Sequence, residues 1–520
     1  MPVPQNFRSR VTLGALAVLM LLPLVVVITS PFHASAPEWD HVMRDILPSH
    51  LFETLRLVAL TVLLALLFAI PTAWIVSTLD FPGRRLFRWA LVLPLALPTY
   101  ICAITFGSLF GPVGSFSRAL SAGTGIHMDI MTWPCLALVL ALALYPYIYL
   151  PARVAFSAGM SPHLDAARML GSGAWKRFLR VALPLARPAI AGGALLVAME
   201  TLNDYGAVKY YGVRTLTAGI FRSWGGLYDV GSALRLSGVL LLLVISLITL
   251  ERSIRRRAGQ ESSHRPVTGA PLHGWKSAAA VSWCIALFAV AFLLPVASIA
   301  LDALHTMKDL RFLQFLPALG NTLFIGLLAA FATILIAVAF AFAERSSTGT
   351  KRLTNWASIG YVVPGAVIAI GVMAFAGWLT HVTGVVIIGS IVLMVYAFSV
   401  RFLALASQPL RAGLKQQPKA MDEAALLLGS SPWRTFRQVN LPLLRPAIIA
   451  AALLVLMEVV KELPLTLILR PFNFDTLSTK VFELARIEQW PDAGVPALLI
   501  VLCGLFPVLV LDRLLERRAR

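Results

Sequence analysis

Two pairs of carboxylates stand inside runs that are otherwise apolar. Glu200 and Asp204 close the segment AMETLNDYGAV, while Glu458 and Glu462 occur in LMEVVKELPLTLILR, with Lys461 between them. Four-residue spacing would set each pair on one face of a helix, and charge buried at such a place is costly unless it meets a partner or water. Two kinds of chemistry are open to these groups. One is a packed ion-pair network in which Lys461 neutralises part of the second set; the other is a polar lining for a cationic or oxygen-ligated solute, because hard metal ions favour carboxylate oxygens. Covalent catalysis finds no residues here. The nine His are scattered without an H-E-x-x-H pair, and no metal ligand set is specified. Cys102, Cys135, Cys284 and Cys503 are isolated in or beside apolar runs and read as small buried hydrophobes. The phosphate-cradling G-x-x-x-x-G-K-[ST] loop is missing, since Gly-Lys never occurs. Any nucleotide chemistry must come from another polypeptide.

The elements that position these groups are membrane helices. With a mean hydropathy of +0.80 and 13% charged residues, 520 residues lack the polar surface to solvate a globule. Runs of about 20 apolar residues, the length that crosses a hydrocarbon core, lie near 11–30, 51–78, 88–110, 132–152, 188–208, 232–250, 277–301, 321–343, 354–379, 383–407, 446–469 and 494–512. They predict an all-α integral membrane protein with about twelve transmembrane helices in two six-helix halves, 1–250 and 277–520, joined by a flexible basic linker at 251–276. Residues 11–30 compete with a cleaved signal peptide, but the run is longer than a signal core and reads as the first span. A net charge of +19 would suggest nucleic acid in a soluble chain. Here most Lys and Arg fall in the segments that share a side with the N-terminus, which makes that side, and both termini, cytoplasmic. The cluster Arg252, Arg255, Arg256 and Arg257 reads as a topological anchor against anionic lipid.

One segment occurs twice, 258 positions apart. DAARMLGSGAWKRFLRVALPLARPAI at 165–190 aligns without a gap on EAALLLGSSPWRTFRQVNLPLLRPAI at 423–448. Asp165-Ala166-Ala167 falls on Glu423-Ala424-Ala425, Gly171 on Gly429, Trp175 on Trp433 and Pro184 on Pro442. Each copy reads as helix, turn, helix. The carboxylate belongs in a first turn, the glycine ends that helix, an aromatic stripe follows (Trp175 with Phe178, Trp433 with Phe436), and Leu-Pro with Arg-Pro stops the segment before the next span. An interfacial helix lying on lipid is the rival reading. Repetition of the register across halves, with Thr54 and Thr322 opening the second and eighth spans and Pro98 and Pro364 inside the third and ninth, describes parallel repeats with a path between them.

The Asp/Glu-Ala-Ala, Gly, Leu-Pro pattern resembles the EAA loop of bacterial ABC importer permeases, and KELPLTLILRPFNFDTLSTKV with METLNDYGAVKYYGVRTLTAGIFRSW resembles the fused two-half permeases for ferric iron. Thiamine, polyamine and sulfate permeases share the loop. The resemblance implies a type I (MetI-like) permease fold in the inner membrane, with coupling loops at about 160–187 and 411–445. It also implies two copies of a separate ATPase that carries ATP and Mg, and a periplasmic binding protein docking on the external loops 209–230 and 470–492. The ATPase contacts would be Asp165, Ala166, Ala167, Gly171, Trp175, Pro184 and their seconds Glu423, Ala424, Ala425, Gly429, Trp433 and Pro442. A twelve-span secondary transporter would share the six-plus-six plan but would couple through intramembrane charges instead.

Overall fold

The computed structural model describes residues 7–519 apart from 34–35, 113, 126, 128, 158–165, 257–269, 309–310 and 347–349. Among the described residues, eight helices are long and apolar enough to cross a membrane, and three further pairs of helices pass the same test as bent spans, giving up to eleven. The last expected span falls on the helix Trp490–Ala519, whose apolar part is Trp490–Leu505. Among the described residues, the regular structure is helical except for one two-residue parallel bridge.

That bridge involves the end of the linker. Ala270–Pro271 pairs with Leu79–Asp80, and Leu272 N donates to Asp80 O at 3.0 Å, so the linker's end is stitched to the loop after the second span.

The spans expected near 88–110 and 354–379 are not straight helices. The third bends by 90° between Arg84–Ala96 and Thr99–Phe110. In the ninth, a helix at Thr350–Ala357 and a 3₁₀ turn at Ser358–Val362 precede Gly365–Thr383. Proline explains both breaks. Leu97 (ψ 122°) and Val363 (ψ 133°) are extended because each precedes a proline whose ring disfavours α geometry before it, and Pro98 and Pro364 then cap the following helices.

The halves exchange their first spans. Pro23 in the first span lies so close to Gly371 in the ninth that a Cβ there would meet Pro23 O at 2.5 Å, and Tyr396 Oη donates to Leu19 O at 2.5 Å. Reciprocally, Trp283 in the seventh span donates from Nε1 to Thr72 Oγ1 in the second at 2.8 Å. Glycine also permits close helix contact inside a half: a Cβ at Gly193 would stand 2.6 Å from Tyr147 O and 2.7 Å from Ile148 Cα. The repeated threonines have a concrete role. Thr54 Oγ1 accepts from Leu216 N and Thr322 Oγ1 from Leu477 N, both at 2.8 Å, fixing the helices Leu216–Gly225 and Leu477–Arg486 onto the second and eighth spans.

Candidate functional site

All five charged residues singled out in the fifth and eleventh runs line one cavity of about 80 Å³ between the halves, together with Thr99, Tyr100, Tyr147, Asn203 and Arg401. Their arrangement differs from the helical pairing expected. The helices Leu183–Asn203 and Arg445–Lys461 stop one residue short of Asp204 and Glu462, which are extended (φ −69°, ψ 121° and φ −71°, ψ 119°). Glu200 and Asp204 therefore do not share a helical face, and neither do Glu458 and Glu462. The second carboxylate of each pair caps the next short helix instead: Asp204 Oδ1 accepts from Ala207 N at 2.8 Å and Glu462 Oε1 from Leu465 N at 3.2 Å. Capping ability, combined with Gly206 and Pro464 just downstream, outweighs continuation of the helix.

Charge compensation across the cavity is uneven. Glu462 pairs with Arg401 of the tenth span (Nε to Oε2 3.3 Å), and both side chains are more than nine-tenths buried. Arg401 also donates from Nη1 to Val363 O at 3.2 Å. Space for its guanidinium exists because position 365 is glycine, where a Cβ would strike the Glu462 carboxylate and Arg401 Nη1. Lys461 pairs with Glu458 at 2.9 Å. On the first half Asp204 accepts from Thr99 Oγ1 rather than from a cation, and Glu200 makes no hydrogen bond or ion pair with any described residue. Four carboxylates thus face two cations, and both cations come from the second half. Among the described residues no three of His, Cys, Asp or Glu gather so as to hold a metal ion, so the carboxylates do not converge on one point.

The residues just before each break also tie the halves together. Asn203 Oδ1 accepts from Gly365 N at 2.8 Å, and its repeat partner Lys461 donates from Nζ to Leu95 O at 3.4 Å. Arg401, Asn203 and Thr99 escaped the sequence reading. Arg401 sits in VYAFSVRFLALA without a partner nearby in the chain, and only its rarity as a charge in an apolar run could have flagged it.

The repeated loops form a second candidate site. Asp165 lies outside the described residues. Residues 166–169 are helical, and Gly171 ends the turn at φ +73°; in the second copy the helix Lys419–Leu427 is ended by Gly429 at φ +80°. Both ends have the same pair of bonds. Ser172 N donates to Ala167 O and Gly171 N to Arg168 O, while Ser430 N donates to Ala425 O and Gly429 N to Leu426 O, all at 3.0 Å. This is the Schellman pattern, which needs a left-handed residue at the glycine. One expectation fails in the second copy. The acidic residue in the first turn of Lys419–Leu427 is Asp422, because the helix starts at Lys419, and Glu423 lies just beyond that turn and is exposed.

The aromatic stripe divides by depth. Phe178 packs on Trp74 of the second span (5.1 Å between ring centroids) and Phe436 on Phe342 of the eighth (5.1 Å), leaving Trp175 and Trp433 as the exposed members. The Leu-Pro step also acts differently in the halves. Pro184 enters a continuous helical stretch, Trp175–Asn203, through a π turn at Phe178–Ala182, whereas after Pro442 the chain bends by 70° between Pro432–Leu443 and Arg445–Lys461. The sequence reading missed the most exposed apolar side chains of the loops. Met169 (90% exposed) and Leu170 (84%) in the first copy match Leu427 (88%) and Leu428 (88%) in the second, each pair standing just before the glycine. Exposed apolar groups thus recur in register at the two helix ends.

Known proteins place this geometry. Residues 59–251 and 324–520 each match the family described as the inner membrane component of binding-protein-dependent transport systems. The Fe(3+)-transport system permease protein FbpB 2 of Haemophilus influenzae is 27% identical over 454 residues, covering 85% of each chain. The molybdenum transport system permease protein ModB of Escherichia coli is 30% identical over 43% of this chain and 98% of its own. The sulfate transport system permease protein CysT of Escherichia coli is 31% identical over 28% of this chain and 51% of its own. With the family matched once in each half and two equivalent loops presenting the same capped helix ends, the chain belongs to the ABC importer permeases, as two fused halves of a multi-pass membrane protein.

Proposed function

We propose that this permease moves ferric iron, delivered by a periplasmic binding protein, across the bacterial inner membrane, driven by two copies of a separate ATPase that binds ATP and Mg. Both termini and both repeated loops face the cytoplasm in this reading, in line with the placement of Lys and Arg. The chain performs no covalent chemistry. The ATPase subunits cover the helix ends at Met169-Leu170 and Leu427-Leu428, with Asp165, Ala166, Ala167, Trp175, Glu423, Ala424, Ala425 and Trp433 around them. Pro184 and Pro442 pass their movement into the fifth and eleventh spans. The binding protein meets the loops 209–230 and 470–492 at the opposite end.

The observation that carries the cargo assignment is the cavity's charge. Four carboxylates against two cations favour a cation and oppose sulfate or molybdate, since a path lined by one sign of charge concentrates the opposite sign. The match to the Fe(3+) permease across both halves points the same way. Expression of this chain with its ATPase and binding protein in a bacterium lacking ferric uptake tests the assignment. Restored growth on chelated ferric iron is expected; rescue of a molybdate- or sulfate-uptake mutant instead would overturn it.

A further inference from the structure

Among the described residues, the two coupling loops are anchored unequally. At the end of the eighth span, Arg345 donates from Nε to Asp422 Oδ2 at 2.6 Å. Its Nη1 donates to Leu414 O and Gln417 O at 3.2 Å, and its Nη2 to Gln417 O at 3.2 Å and Pro418 O at 3.3 Å. One guanidinium thereby joins three elements: the eighth span, the end of the tenth (Ile391–Lys415) and the coupling helix Lys419–Leu427. Asn440, 2% exposed, completes the clamp by donating to Asp422 Oδ1 at 2.9 Å and Gln417 Oε1 at 3.0 Å.

At the matching positions the first half carries other side chains. By the register that aligns Trp74 with Phe342, Ser77 replaces Arg345. By the register of the loops, Leu164 replaces Asp422 and Ala182 replaces Asn440. Ser77 bonds Ala73 O and reaches Arg153 O at 3.3 Å. What the described parts of the two loops share is the aromatic contact through Phe178 or Phe436.

We infer that Arg345 is a positioning residue for energy coupling: it locks the second coupling helix to the eighth and tenth spans, so that ATPase movement at that loop reaches these spans through charge-assisted bonds, while the first loop transmits through ring packing. Bidentate and charge-assisted bonds hold direction as well as distance, whereas packed rings can slide. The two ATPase copies therefore do unequal work on one chain. This rests on the loops being the ATPase docking sites.

The test uses the full complex with its ATPase and binding protein in proteoliposomes, with ATP hydrolysed per solute imported, ATPase retention and thermal midpoint all measured. Arg345→Met should keep the ATPase bound but raise ATP used per solute about tenfold, the loss expected for hydrogen bonds to a charged group. Arg345→Lys should lie between it and the parent. Arg345→Met with Asp422→Leu leaves no uncompensated charge and should regain thermal stability while staying uncoupled, which a merely structural clamp would not do. Ser77→Ala should couple as the parent does. Normal coupling in Arg345→Met, or coupling restored along with stability in the apolar pair, overturns the inference. A complex whose Leu427→Cys does not crosslink to the ATPase removes the docking assignment itself, separately from Arg345.

Discussion

Removing Arg401 should destabilise the protein more than any other single change in the cavity. In Arg401→Met, Glu462 remains 6% exposed, keeps one backbone donor, Leu465 N at 3.2 Å, and loses its cation. Stranding one member of a buried pair costs about 3–5 kcal/mol. The bond to Val363 O is lost as well, which frees the turn that starts the ninth span. Adding Glu462→Gln should recover most of the deficit, because the amide oxygen still caps Leu465 N and no charge is left unpaired. The assay is the thermal unfolding midpoint of the purified protein in nanodiscs at one fixed scan rate, since unfolding of such chains is kinetically controlled. Three results would refute the reasoning: a single variant as stable as the parent, a double variant no better than the single, or a larger loss from Lys461→Met, whose side chain is more exposed at 13%.

Gly171→Val and Gly429→Val should insert normally but lower both transport and ATPase stimulation. Left-handed geometry costs an L residue about 1–2 kcal/mol, and open space around both positions leaves backbone strain as the sole cause; normal transport by the double variant would reject this. Glu200→Gln, which breaks no ion pair, should reduce binding-protein-dependent uptake with a near-parental thermal midpoint if Glu200 lines the path. Lost stability with unchanged uptake per folded molecule would assign Glu200 to packing instead. Cysteines at Trp175 and Trp433, placed after the four native ones are removed, should crosslink to the ATPase, whereas reaction only with lipid-soluble reagents would put the loops on the membrane surface.

The repeat carried most of what could be read in advance. A register of 258 residues over Gly171 and Gly429 located both loops and their turn geometry, because a glycine that must be left-handed leaves a mark in the chain itself. The same register paired Glu200 with Glu458 and Asp204 with Glu462 and put all four in one place. It could not show that the helices end before Asp204 and Glu462, since apolar residues continue past the break and hydropathy does not register a change in ψ. Arg401 was illegible for another reason: its partner is 61 positions away in the chain, and that pairing exists only once the tenth span crosses the eleventh. Met169, Leu170, Leu427 and Leu428 look in sequence like any buried pair, because exposure is a property of where the helix ends and not of residue type.

Iron accumulation inside proteoliposomes tests the central claim most directly. With this chain, its ATPase and its binding protein reconstituted, the account predicts ferric iron uptake that requires both ATP and the binding protein, is unaffected by excess molybdate or sulfate, and is abolished when Leu427 and Leu428 are both changed to Asp. Uptake that proceeds without ATP and collapses with the proton gradient would contradict it.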